Sequence, residues 1–156
     1  MGFYIETDGF KEFESMLIEM SKMHRADLVA RKLYPAMRRA LQPAYDYAKS
    51  NAGYDPNNKS GIHMRETLRI DARVPNASDR KSAYVDDNDA VIGVLSVKKS
   101  AVSLANEFGT AKMAKRPFLV PALQQTINQA LGILSGELSE ILPSYMNQLS
   151  KKKGVK

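Results

Sequence analysis

Cysteine is absent from the 156 residues, and its absence excludes several kinds of chemistry. The chain can form no disulfide, hold no metal through thiolates and offer no cysteine nucleophile, so its fold must rest on packing. Long apolar runs are missing too, since none approaches the roughly 20 residues that span a bilayer. The N-terminus also lacks the basic and then apolar pattern of a signal peptide. We therefore expect a soluble protein without a membrane partner.

Histidine is scarce, and the common catalytic motifs are missing. Only His24 and His63 could serve as imidazole bases or ligands, and each is isolated, so we expect capping or solvent exposure for both. The chain contains no P-loop, no G-x-S-x-G, no H-E-x-x-H and no G-x-G-x-x-G pattern. We therefore predict that the protein is not an enzyme and has no catalytic residue, metal site, cofactor or small-molecule substrate.

The positive charge of the chain is concentrated at its C-terminus. The net charge is +6, and four lysines of residues 151–156 supply most of it; the remainder has 19 basic and 17 acidic residues. Terminal runs of like charge are usually disordered and solvated, although contact with DNA phosphates or with an acidic partner is the alternative. We predict one domain over residues 1–150, large enough for a single core, and a disordered basic tail at 151–156.

Two helices are predicted before residue 52. Apolar residues at three- and four-residue spacing predict one helix at about 9–23 and a second at about 28–51. Pro35 and Pro43 lie inside the second pattern, and each removes a backbone donor, so we expect a bend or break at both.

The middle of the chain changes to a period of two. Turn-forming residues fill the loop at 53–61, and alternation over 67–74 then predicts a strand with one buried face. The apolar run at 90–97 predicts a second strand, and a short strand is also predicted at 82–86. The polar segment at 75–81 is expected to be mobile.

The last third is predicted to be helical. The pattern indicates a short helix at 101–108, a loop at 111–116 and a long amphipathic helix at about 119–149, which Pro143 should bend or end. The second face of the long helix is polar but uncharged, which suits either a partner or solvent; its residues include Gln124, Gln125, Asn128, Gln129 and Ser135. The predicted fold class is α+β: two N-terminal helices, a small antiparallel sheet and a long C-terminal helix packed on it.

The corner before the long helix is the most informative segment. Glu107-Phe108-Gly109-Thr110 precedes a short basic loop, Pro117-Phe118 and then Pro121-Ala122-Leu123. Gly109 can adopt a positive φ at a sharp turn, Thr110 can bond to nearby backbone, and the two prolines suit the start of a helix.

The role of the charged and aromatic residues at this corner has two interpretations. Glu107 can accept bonds from the backbone of 109–112 or pair with Lys112 or Arg116, or it can bond to a neighbouring subunit. Phe108 and Phe118 can belong to the core or to an interface, where an arginine beside an aromatic ring is common.

These residues resemble a known family. The Glu-Phe-Gly-Thr, Pro-Phe and Pro-Ala-Leu series is similar to the tail-completion, or head-to-tail joining, proteins of long-tailed bacteriophages, a family that includes minor tail proteins of the lambda Z type. A second mark is the run from Ser60 to Leu68, which fits the family's Thr-Gly-x-Leu-Arg pattern with one additional residue and conservative exchanges. The order of elements agrees over roughly residues 10–149.

The resemblance implies a structural virion protein that works by binding. It implies a homo-oligomer, a ring of six copies at the head-proximal end of the tail, which completes the tail and joins it to the head after assembly in the host cytoplasm. The implied partners are the tail terminator, the head-closure or connector proteins and the tape measure, with DNA passing through the ring. The expected interface residues are Glu107, Phe108, Gly109, Thr110, Lys112, Arg116, Pro117, Phe118 and Pro121.

An alternative function is a small basic nucleic-acid-binding module. It would combine the lysine tail with five further cations, namely Arg38, Arg39, Lys112, Lys115 and Arg116, and bind phosphates with a steep dependence on salt.

Overall fold

The computed structural model describes residues 29–59, 61–83, 85–87 and 91–153. The helix predicted at 9–23 and His24 lie outside the described residues, as do residues 154–156 of the basic tail. All statements about the structure refer to the described part.

Prolines divide the first helical stretch into short segments. A π-helical turn at Val29–Leu33 is followed by α1 at Tyr34–Ala40 and by α2 at Gln42–Asn51. Pro35 and Pro43 each occupy the first turn of a segment, where a missing N–H breaks no helical hydrogen bond. The helix is irregular near both prolines, as expected: it changes from π to α geometry just before Pro35, and Leu41 interrupts it just before Pro43.

A two-stranded antiparallel sheet follows the loop. Strand β1 is Arg69–Arg73, and β2 is Ile92–Ser96. Ile70 lies opposite Leu95, and Ala72 lies opposite Gly93. Both predicted strands are confirmed with shorter bounds. The first begins later because Thr67 belongs to a 3₁₀ turn at Met64–Thr67.

The third predicted strand, at 82–86, is wrong for its described residues, which form turns and irregular chain. Turns use the backbone donors here: the Ser82 N–H donates to the Asp79 carbonyl at 3.0 Å, and the Val85 N–H donates to the Ser82 carbonyl at 3.3 Å. The Asn76 Oδ1 atom accepts the N–H groups of Ser78 and Asp79 at 2.8 and 2.9 Å, and a 3₁₀ turn forms at Asp79–Lys81. The segment expected to be mobile therefore has its own hydrogen bonds.

The C-terminal third contains the two predicted helices. Helix α3 is Ala101–Phe108, with the predicted bounds, and α4 is Leu119–Lys153. Pro143 lies inside α4, so the helix does not end there, and three of the tail lysines, Lys151–Lys153, are helical. No helix in the described part is long and apolar enough to cross a membrane. The α+β class is confirmed.

Helix α4 packs mainly against α1 and α2, whereas α1 covers the sheet. The prediction that the long helix lies on the sheet is therefore refined: α1 stands between them along part of its length. Gly93 permits this close approach, because a Cβ there would lie 2.7 Å from Met37 Cγ and 2.8 Å from Leu41 Cδ1.

Small residues line the helix side of the core. Alanines recur every fourth residue from Ala36 to Ala52, and each is at most 6% exposed. One core cluster joins this stripe to Leu68, Phe118 and Ala122, and a second joins it to Leu138 and Ile141. Methyl groups leave room for close contact between helix backbones.

Candidate functional site

The Glu107 side chain caps the long helix from a distance. Glu107 is 8% exposed. Its Oε2 accepts the backbone N–H of Phe118 at 3.0 Å and that of Leu119 at 3.1 Å, and its Oε1 accepts that of Val120 at 3.1 Å. The first amides of a helix have no partner within the helix and carry its positive dipole end, so a carboxylate satisfies both needs.

These bonds correct the sequence interpretation of Glu107. The predicted partners were the amides of 109–112 or the cations Lys112 and Arg116, but the structure shows the amides of 118–120 instead. Both carboxylate oxygens accept hydrogen bonds within the chain, so Glu107 links the end of α3 to the start of α4.

Gly109 makes the sharp turn that brings Glu107 to these amides. Its φ is 78° and its ψ is 178°, a region that essentially only glycine adopts. A Cβ at this position would lie 3.0 Å from the Lys115 backbone nitrogen and 3.1 Å from the Met113 carbonyl oxygen. The predicted positive φ is confirmed.

The loop after Gly109 is a short hairpin fixed by its backbone. The Thr110 N–H donates to the Met113 carbonyl at 2.8 Å, and the Met113 N–H donates back at 3.3 Å. The Arg116 N–H donates to the Asn106 carbonyl on α3 at 2.7 Å. The Thr110 hydroxyl accepts the Lys112 N–H at 3.3 Å, as its turn role predicted.

The two phenylalanines of the corner have opposite surroundings. Phe118 is fully buried and is the largest side chain of its core cluster, whereas Phe108 is 65% exposed. The sequence left both open between core and interface; the structure assigns Phe118 to the core and leaves Phe108 on the surface.

The other residues of the predicted interface are mostly at the surface. Gly109 and Pro121 are half-buried, and the exposed ones are Thr110, Lys112, Arg116 and Pro117. Exposed apolar side chains accompany them: Leu104 is 41% exposed and Met113 is 38% exposed. The structure thus divides the predicted set into an internal part, Glu107 and Phe118, and a part that a neighbour can touch.

The start of α3 carries a hydrogen-bond network that sequence reasoning missed. Ser100 caps the helix by accepting the Ser103 N–H at 3.0 Å, and the buried Ser103 hydroxyl donates to the Lys98 carbonyl at 3.0 Å. The serine pair at three-residue spacing was the available signal. The network fixes the end of α3 opposite to Glu107.

His63 belongs to a small aromatic cluster in the loop before β1. Its ring centroid lies 4.3 Å from that of Tyr54, and the Arg65 guanidinium carbon lies 3.7 Å from the Tyr54 centroid. The Glu66 carboxylate accepts the His63 backbone N–H at 3.3 Å. His63 thus stands at the N-terminal cap of the Met64–Thr67 turn, in line with the capping that we expected.

The solvent side of α4 is uncharged over its first half. Between Leu119 and Gly136 its exposed residues include glutamines, asparagine, serine and glycine, but no Asp, Glu, Lys or Arg. Gly132 and Gly136 lie on this face, and a Cβ at either would meet nothing within 4 Å. Glycine inside a helix costs about 0.8–1.0 kcal/mol relative to alanine, and nothing within the described chain requires it here.

Charge is distributed unevenly over the molecule. Residues 53–69 and 98–118 lie together, linked by the Lys98 N–H donating to the Thr67 hydroxyl at 3.2 Å, and we call them the basic end. It has three carboxylates, of which Glu107 is buried, and eight cations. The cations are Lys59, Arg65, Arg69, Lys98, Lys99, Lys112, Lys115 and Arg116. The other described residues, up to residue 150, have eight cations and seven carboxylates.

Ion pairs lie away from the basic end. Arg39 holds Glu137 of α4 through two bonds of 2.5 and 2.6 Å, and Arg73 holds Asp79 through bonds of 3.2 and 2.9 Å. The bond from Arg39 lowers the pKa of Glu137, and that from Arg73 lowers the pKa of Asp79. The Arg38 Nη2 atom lies 3.4 Å from the Asp71 Oδ1 atom.

Two of the cations assigned to the nucleic-acid alternative have carboxylate partners. Arg39 pairs with Glu137, and Arg38 shares Asp71 with Arg73, which leaves Lys112, Lys115 and Arg116 from the body of the chain. None of these three forms an ion pair with a described residue.

Within the described ranges, no group of three or more His, Asp or Glu side chains is arranged to hold a metal ion. Comparison of the chain with protein-family models, with curated proteins and with solved structures found no match.

Proposed function

We propose that the protein is a structural subunit of a bacteriophage tail or neck, which binds copies of itself in a ring at the head-proximal end of the tail. The observation that carries this proposal is the corner from Glu107 to Phe118. The residues on which the resemblance to tail-completion proteins rests are the ones that build this corner, through the Glu107 cap and the Gly109 turn. A rigid corner that leaves Phe108 65% exposed suits a contact between subunits.

The uncharged face of α4 supports self-association. An exposed helix face that only meets water usually carries charged residues. This face carries none between Leu119 and Gly136, and its two glycines leave the helix backbone open to close approach. We propose that it and the Phe108 side of the corner meet neighbouring copies. Cyclic rings arise from such head-to-tail contacts when the rotation between subunits closes.

The test is the mass of the purified protein in solution, measured by light scattering from low micromolar to near-millimolar concentration. We expect an oligomer whose fraction rises with concentration. Gly132→Lys adds a charged side chain where the subunit itself has open space, so it should shift the protein to monomer without unfolding it. Ala77→Lys, at an exposed turn outside both surfaces, adds the same charge and should leave the oligomer unchanged.

A functional arm uses lysates that contain separate heads and tails because this subunit is missing. Added wild-type protein should join them, and Gly132→Lys should not. The proposal fails if the protein stays monomeric throughout and also does not join heads to tails.

A further inference from the structure

The basic end holds an excess of positive charge that the described residues do not neutralise. It contains eight cations and three carboxylates. None of these cations forms an ion pair within 4.0 Å with a described residue. Elsewhere in the described chain, Arg38, Arg39, Arg73 and Arg80 all meet carboxylates. Unpaired cations gathered on one side of a protein create a positive potential that attracts polyanions.

The backbone under these cations is fixed. The hairpin bonds between Thr110 and Met113, and the bond from Arg116 to Asn106, hold the loop that carries Lys112, Lys115 and Arg116. The Ser100 cap and the Ser103 bond hold the chain at Lys98 and Lys99. Binding therefore has to order side chains but not the loop, which lowers its entropic cost.

The two cation groups are separated by α3. Lys98 and Lys99 precede this helix, and Lys112, Lys115 and Arg116 follow it. Eight helical residues span about 12 Å at 1.5 Å per residue. With Lys98 and Lys99 at the start of this helix and the 112–116 loop at its end, one duplex can contact both groups.

An open groove continues the surface along the end of the sheet. Two adjoining depressions of about 530 and 560 Å³ share Ile62, Thr67 and Lys98, and Arg69 lines the second of them. Asp55 also lines the first depression and Glu66 the second, and Lys98 is the lysine in both. The binding argument therefore rests on the two cation groups beside α3 rather than on this groove.

From this arrangement we propose that the basic end binds the phosphate backbone of duplex DNA without regard to sequence. The inference goes beyond the proposed function and does not depend on ring formation, since each subunit carries the whole surface. It also assigns the binding to the folded body rather than to the lysine tail.

The test is the binding of a fluorescent duplex of random sequence to the full chain at several salt concentrations. The logarithm of the binding constant should fall linearly with that of the salt concentration, by about 0.9 for each phosphate contacted. The triple variant Lys112→Gln, Lys115→Gln, Arg116→Gln should bind at least about tenfold more weakly at low salt and reduce the slope by about 2 to 3.

A matched triple variant controls for net charge. Arg31→Gln, Lys32→Gln, Lys81→Gln removes two lysines and one arginine that are equally exposed but lie outside the basic end. It should change the slope by less than about 1. All six side chains are exposed, so we expect both triple variants to unfold at the temperature of the wild type. That result will show that each variant is folded.

A variant without the tail lysines distinguishes DNA binding by the tail from DNA binding by the basic end. With Lys151, Lys152, Lys153 and Lys156 all replaced by glutamine, the loop triple should still reduce the slope by the same amount. The proposal is overturned if the tail variant abolishes binding, if both triples weaken it equally, or if the protein binds vesicles of anionic lipid but not DNA. Light scattering reports separately on self-association, so either proposal can fail alone.

Discussion

The carboxylate of Glu107 and the backbone N–H of Phe118 are joined by a 3.0 Å hydrogen bond across eleven residues of chain. The bond ties the last turn of one helix to the first turn of the next. Two further amides share the same carboxylate, so the corner between α3 and α4 is a single hydrogen-bonded unit.

Replacing Glu107 by glutamine should therefore destabilise the protein. The amide keeps one acceptor oxygen, but its NH₂ group faces N–H donors, which leaves at least one buried amide without a partner. We expect a loss of about 2 to 3 kcal/mol in the free energy of unfolding, measured by urea denaturation. Glu140→Gln, at an exposed position of α4, is the control and should change stability by less than about 0.5 kcal/mol. Equal effects would contradict the capping role.

Gly109→Ala should also destabilise the corner, by about 1 to 3 kcal/mol. The cause is the φ of 78° together with the approach of the Lys115 nitrogen and the Met113 oxygen, both backbone atoms that cannot move aside cheaply. Gly136→Ala should instead stabilise the protein, because its Cβ meets open space and alanine favours a helix by about 0.8–1.0 kcal/mol. Thermal unfolding of the two variants should shift in opposite directions, and shifts of the same sign would refute this account.

Alanine substitutions of the two phenylalanines of the corner should affect different properties, namely folding stability for Phe118 and self-association for Phe108. Phe118→Ala empties a fully buried site and should cost about 3 to 5 kcal/mol. Phe108→Ala should change the unfolding free energy of the monomer by less than about 0.5 kcal/mol, because most of the ring is exposed. Under the proposed function, it should nevertheless weaken the oligomer seen by light scattering. An unchanged oligomer would remove Phe108 from the contact.

Acid should weaken two links between elements. Hydrogen bonds from Arg39 and Arg73 lower the folded-state pKa of Glu137 and of Asp79, respectively. A lowered folded pKa means that the stabilisation is present above the ordinary carboxyl pKa of about 4. It is lost as pH falls through the folded pKa.

We therefore expect the urea midpoint of the wild type to fall between about pH 4 and pH 2. In the double variant Arg39→Gln, Arg73→Gln the fall over this range should be smaller. Both guanidinium groups are partly exposed, so added salt should diminish the difference between the two proteins. A variant with the same pH dependence as the wild type would show that these pairs do not contribute.

Local signals in the sequence were sufficient for most of the elements. The bounds of α3 and the breaks at Pro35 and Pro43 follow from periodicity and from the missing proline N–H, which act within one helical turn. The strand predicted at 82–86 failed because the Ser82 and Val85 N–H groups donate to carbonyls three residues back, which is the hydrogen bond of a turn and not of a strand ladder.

The corner shows where sequence reasoning stops. The positive φ of Gly109 was predictable, because glycine before a basic loop is a local signal. The partners of Glu107 were not, because they lie eleven to thirteen residues ahead and depend on the whole hairpin between them. Likewise, the sequence named Lys112, Lys115 and Arg116 together with the tail but not Lys98 and Lys99, whose position depends on the contact between Lys98 and Thr67.

The alanine stripe from Ala36 to Ala52 has a thermodynamic consequence for the helical layer. Alanine has no rotamers to lose on burial, so these five positions add no side-chain entropy loss to the contact. The stripe packs against larger side chains such as Phe118, Leu138 and Ile141, and the dispersion attraction between them weakens steeply as a gap opens. We therefore expect little sliding of α1 and α2 along α4, so that the surfaces carried by these helices keep a fixed relative position.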